Sequence, residues 1–155
     1  MVKQVECKII AALMVAVFLL AIPALAFAKS EINQSFIGSV AIKGTDPVAY
    51  FTEKKAQKGS PKFTHRWKGG EWRFKNATNR DAFAADPEKY APQFGGYCAW
   101  AVSQGYTASI DPEAWTVHQG KLYLNYNKEI QNDWAQDIPG NIAKAEDNWP
   151  KALDN

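Results

Sequence analysis

The chain has 155 residues, 18 Lys and Arg against 16 Asp and Glu, a formal net charge of +2 and 46% hydrophobic residues. This near-balance, with no long charge run, argues against nucleic acid as partner, because phosphate binding needs clustered cations. The length suits one domain with a proper core and no need of disulfide staples.

Residues 1–28 are a separate object. Lys3 and Lys8 bracket a charged start, Ile9 to Leu20 is apolar, and Pro23 precedes Ala26-Phe27-Ala28. That is the pattern of a secretory signal peptide with an A-x-A cleavage site. The apolar run is shorter than the ~20 residues of a membrane span, and Cys7 lies before it, where no lipid attachment is expected. The expectation is an exported, periplasmic protein that keeps no membrane contact once the leader is removed. Met1 and Met14 leave with the leader, and Cys98 is then the one remaining cysteine. An exported chain with one cysteine makes no internal disulfide; it buries that thiol or uses it.

The rest divides into an N-terminal segment (29–41), a domain (42–149) and a short tail (150–155). Lys29 to Gln34 is polar and is expected to fray. Val40, Ile42, Val48, Tyr50 and Phe51 surround a Gly44-Thr45-Asp46-Pro47 turn. A β-hairpin follows, Lys62 to Trp67 and Glu71 to Lys75, with Phe63, His65 and Trp67 alternating on one face. Asn76 caps a helix running to about Ala85, and Asp86-Pro87 starts a further short turn of helix. Gly95-Gly96 precedes a helix from about Tyr97 to Gln104, ended by Gly105. A second hairpin pairs Ala114 to His118 with Lys121 to Tyr126, placing Leu122, Leu124 and Tyr126 on one face. Two amphipathic helices close the chain, one carrying Ile130 and Trp134, the other Ile142, Ala145 and Trp149. The pattern predicts a small α+β domain with two β-hairpins and several short helices.

Three stretches carry a resemblance: Thr45-Asp46-Pro47-Val48-Ala49, Trp72-x-Phe74, and Asn79-Arg80-Asp81-x-Phe83-x-x-Asp86-Pro87-x-x-Tyr90. Together they resemble the YHS domain family, a small metal-associated module. The run from Tyr90 through Gly95-Gly96-Tyr97-Cys98-Ala99 is similar to the exported, stand-alone bacterial members. The resemblance covers roughly residues 42–149. It implies a YHS-like fold and a binding function. It does not carry the family's metal site, because the thiolates of metal-binding members are replaced here by Ala49, Lys75-Asn76 and Asn79.

Any metal site must be rebuilt from other donors. Cys98, at a predicted helix start, gains a partial positive charge that favours thiolate. His65 and His118 are the two imidazoles of the chain. With Cys98 they make a candidate Cys-His-His set for copper or zinc, although no methionine remains for an axial copper ligand. Gly95, Gly96, Tyr97 and Trp100 are the candidate small-ligand residues, with Gln93, Tyr97 and Tyr106 as the polar rim of a groove. Against these readings stands plain packing: free cysteine is among the most buried residue types. His118 also falls out of phase with Trp115 and Val117, which points it to solvent. Asp81, Asp86, Asp111 and Glu113 read as caps. No Gly-x-Ser-x-Gly, Cys-x-x-Cys or His-Glu-x-x-His motif is present. The expected function is an exported, non-catalytic binding module of the YHS type, handling a soft metal ion or small ligand near Cys98. The alternatives are a structural or protein-interaction domain in which Cys98 packs, and a thiol-dependent enzyme.

Overall fold

The computed structural model describes residues 29–155, so the predicted signal peptide lies outside the described residues. The described chain is α+β. Two antiparallel hairpins form separate two-stranded sheets, and short helices pack around them. Helix α1 spans Pro47–Thr52; β1 (Ser60–Trp67) pairs with β2 (Gly70–Phe74). Helices α2 (Ala77–Ala85) and α3 (Pro87–Tyr90) follow, then α4 (Ala99–Ser103). Strand β3 (Asp111–His118) pairs with β4 (Lys121–Asn125), and α5 (Lys128–Ala135) and α6 (Ile138–Asn148) complete the domain.

Helix α1, absent from the sequence expectation, has a local cause. Asp46 caps it, its Oδ1 accepting from Val48 N at 2.9 Å, and Pro47 supplies the first helical position. The other oxygen, Oδ2, accepts from Lys75 N at 2.9 Å and from Asn79 Nδ2 at 2.7 Å. One fully buried carboxylate therefore ties α1 to the end of β2 and to α2. Asp46 and Asn79 both lie in the sequence signature noted above, and both serve here as internal ties. Phe83, also in that signature, stacks against Trp67, Trp72 and Phe74 at centroid distances of 5.9, 5.1 and 5.2 Å.

Strand β4 lies between two cores. Leu122 and Leu124 point into the larger one, with Trp72, Phe74, Phe83, Tyr50 and Cys98. Tyr123 points the other way, into a second cluster with Phe94, Val102, Trp134 and Ala145. The period-two alternation of a strand makes this division automatic. Tyr126, expected on the leucine face, is 55% exposed, because β4 ends at Asn125 and the alternation stops with it.

The N-terminal segment is not frayed. Asn33 N donates to Gly95 O at 2.9 Å, Ala41 N to Glu71 O at 2.9 Å, and Ile32 is almost wholly buried. The segment closes one end of the larger core.

Candidate functional site

Cys98 is fixed by its backbone. It forms a parallel bridge with Leu124 on the free edge of β4, and its N–H donates to Ala108 O at 3.1 Å. That bridge brings the thiol to the end of β4, where Sγ donates to Asn125 Oδ1 at 3.6 Å. The same oxygen accepts from Trp100 N at 3.1 Å. Asn125 is wholly buried and its Nδ2 has no partner among the described residues. A buried amide donor left unpaired costs on the order of 1–3 kcal/mol, so it marks a place where a polar acceptor is wanted.

Beside the sulfur runs a groove of about 230 Å³. Cys98, Ala101 and Ala108 line it from within, and Trp100, Tyr106, Tyr126 and Ile130 complete it. Tyr106 and Tyr126 are 46% and 55% exposed, two of the few large hydrophobic side chains so presented among the described residues. Cys98 itself is 1% exposed. Burial pushes its thiol above its ordinary pKa, and the lowering influence of backbone hydrogen bonds at Ala101, Tyr126 and Trp100 is smaller. Of the readings open for Cys98, the structure shows the buried thiol, and the thiolate favoured by a helix start does not prevail. Helix α4 has five residues, too short for a strong terminal field, and burial dominates. At neutral pH the group is a neutral, polarisable SH in an apolar wall.

The two imidazoles do not join it. His65 is on β1, its ring 6.0 Å from that of Phe83, and His118 ends β3 at the tip of the other hairpin. Among the described residues no group of three or more His, Cys, Asp or Glu side chains is placed to hold a metal ion. The expected Cys98–His65–His118 set is not assembled, because the hairpins that carry the two histidines belong to different sheets.

Of the expected small-ligand residues, Trp100 lines the groove; the others have structural tasks. Gly95 has φ +61°, and a Cβ there would lie 1.8 Å from Glu31 O. Gly96 has φ +79°, and a Cβ there would lie 2.6 Å from Ile42 Cγ2. Gly95 thus admits close packing of the N-terminal segment, and Gly96 close packing of Ile42 and Pro92. Tyr97 donates its hydroxyl to Ser30 O at 2.8 Å and packs on Trp149. Gln93 binds β4 through its backbone N–H, which donates to Leu122 O at 2.8 Å. Tyr106, the third predicted rim residue, does line the groove. Asn125, Ala108, Tyr126 and Ile130 were not legible as site residues. Only the long-range Cys98–Leu124 bridge brings them together.

Comparison with family models, with curated proteins and with solved structures gives no match to this chain.

Proposed function

We propose that this chain is an exported, non-catalytic binding module of the YHS type that takes a small, planar, apolar ligand in the groove beside Cys98. The observation that carries the reading is an apolar groove flanked by two half-exposed tyrosines and backed by Trp100. Exposed aromatic side chains around a concave apolar surface mark binding sites more often than chance exposure does. The volume, about 230 Å³, is below the roughly 300–1,000 Å³ of drug-sized sites, which restricts the occupant to one or two fused rings. Cys98 serves as a soft apolar wall, in keeping with its burial and its raised pKa. Export rests on the sequence of residues 1–28, and the YHS assignment on the signature residues.

A second reading, a structural or protein-interaction domain with Cys98 as packing, draws on the 1% exposure of that residue. Equilibrium dialysis against 1-naphthol separates the two. The binding reading predicts saturable uptake at one site, weakened at least tenfold in Ala108→Phe, which fills the groove, and in Tyr126→Ala, which removes its wall. Absence of saturable uptake, or equal uptake by wild type and both variants, leaves the structural reading.

A further inference from the structure

Phe36 and Ile37 are 103% and 85% exposed, whereas Phe74 and Phe83 are fully buried. They are not on a loose end. Ser35 N donates to Val40 O at 3.0 Å, Val40 N to Ser35 Oγ at 3.0 Å, and Ser35 Oγ to Ile37 O at 2.6 Å. A Gln34–Ala41 bridge closes the turn at its base. A self-bonded turn thus holds two large apolar side chains in water, an arrangement with no benefit to folding.

The base of that turn opens on a cleft of about 450 Å³, within the usual range of ligand sites. Ser35 and Val40 line the cleft from the turn, and Lys43, Arg73 and Ser109 line it from the body of the domain. No carboxylate lines it. Arg73 Nε engages Glu71 Oε1 at 3.0 Å, and Glu71 does not line the cleft. Lys43 makes no ion pair among the described residues, and Lys58 Nζ donates to Lys43 O at 2.8 Å. Asp111 and Glu113 line an adjoining cleft that Lys43 and Lys58 share; neither bonds to these cations. Lys43 is held at φ +56°, between Ile42 at +39° and Gly44 at +72°. This left-handed turn buries Ile42 and leaves Lys43 exposed at the cleft. Gln34, also on the cleft, has a buried Oε1 with no partner among the described residues.

We infer that this cleft binds an amphiphilic anion, a carboxylate or phosphate head carried on an alkyl chain. The head group sits between Lys43 and Arg73, where the guanidinium fork and the ammonium both donate to its oxygens. The chain lies along Val40 toward Phe36 and Ile37, which lose their exposure to water. A free fatty acid and a phospholipid of an anionic bilayer present this same chemistry.

The test uses protein expressed from the full coding sequence and purified as the cell processes it. Its probes are laurate below its micelle threshold, vesicles of phosphatidylglycerol, and vesicles of phosphatidylcholine. The inference predicts binding of laurate or of the phosphatidylglycerol vesicles, with at least tenfold preference over phosphatidylcholine. Either double variant, Lys43→Gln with Arg73→Gln or Phe36→Ser with Ile37→Ser, lowers it at least tenfold, with unchanged far-UV circular dichroism. Ala108→Phe, which closes the other groove, leaves it unchanged, so failure here is distinct from failure of the naphthol experiment. Laurate binding alone identifies a free amphiphile as the ligand, and vesicle binding identifies a membrane surface. Binding of none of these probes, equal binding to both kinds of vesicle, or binding unaffected by the two double variants overturns the inference.

Discussion

The thiol of Cys98 and the side-chain amide of Asn125 form one buried unit: Sγ donates to Oδ1 at 3.6 Å, and the amide nitrogen has no partner among the described residues. Since Oδ1 also accepts from Trp100 N, the amide is oriented, and its donor cannot be satisfied by turning the group over. The pair is consistent with the inertness expected of the sulfur.

Native Cys98 is expected to resist thiol reagents. Its burial and raised pKa leave little thiolate at neutral pH, and thiolate is the reacting species. Labelling with a disulfide reagent at pH 7.5 is expected to be at least a hundredfold slower than in the denatured chain. Cys98→Ala is expected to cost about 1–3 kcal/mol of stability through the small cavity it leaves. Rapid stoichiometric labelling of folded protein contradicts this picture.

Stability falls on the alkaline side. Burial raises the Tyr50 pKa far above its ordinary value of 10.0, with Glu113 and Asp111 adding to the effect. Burial raises Tyr97, Tyr123 and Cys98 in the same direction. For a group whose folded pKa is raised, the unfolded chain loses its proton first. The stabilisation is therefore complete below the unfolded value and declines as pH rises above it. Denaturation midpoints are expected to hold level to about pH 9 and to drop beyond about pH 10. Tyr50→Phe flattens part of that decline while costing about 1 kcal/mol at neutral pH, through loss of the 2.8 Å bond to Pro112 O. A midpoint that rises between pH 9 and 11 contradicts the assignment.

Gly95→Ala is the most disruptive methyl addition in the domain. The new Cβ would meet Glu31 O at 1.8 Å and would force φ +61° on a residue that disfavours it. We expect a loss of about 3 kcal/mol or more, with release of the N-terminal segment. Hydrogen exchange at Asn33 N–H, bonded to Gly95 O at 2.9 Å, measures that release directly. Protection retained at wild-type level would show the packing to be dispensable.

Removing the Asp46 carboxylate separates three elements at once. Asp46→Ala deletes the cap of α1 and strands the Lys75 N–H and the buried Asn79 amide. The expected cost is about 3–5 kcal/mol, read from urea denaturation. Asn79→Ala alone should cost less, because it leaves the cap intact.

Much of the fold could be read from local pattern. Alternation placed both hairpins, and Asn76, with Oδ1 accepting from Asn79 N at 2.8 Å, marked the start of α2. The signal for α1 was also present, a capping Asp followed by Pro47, but the turn it sits in masked the helix after it. The attachment of Lys29 to Gln34 could not be read, since its polar composition suggests fraying and its hydrogen bonds reach residues some sixty positions away. The site was legible only where one residue sufficed. Cys98, Trp100 and Tyr106 were marked by chemical type, whereas Asn125, Ala108 and Ile130 matter through a long-range bridge that no local pattern encodes. Gly95 and Gly96 read as candidate ligand contacts because glycine admits a close neighbour, and in the fold that neighbour is the chain itself: the Glu31 backbone at Gly95, the Ile42 and Pro92 side chains at Gly96.

The groove beside Cys98 is the proposed ligand site. Its most direct test is two-dimensional nitrogen–proton NMR of the labelled protein titrated with 1-naphthol. Saturable shifts are expected, concentrated on the amides of Cys98, Trp100, Ala101, Ala108, Tyr126 and Ile130, together with the side-chain amide of Asn125. Shifts scattered over the surface, or centred elsewhere while these resonances stay fixed, would contradict it.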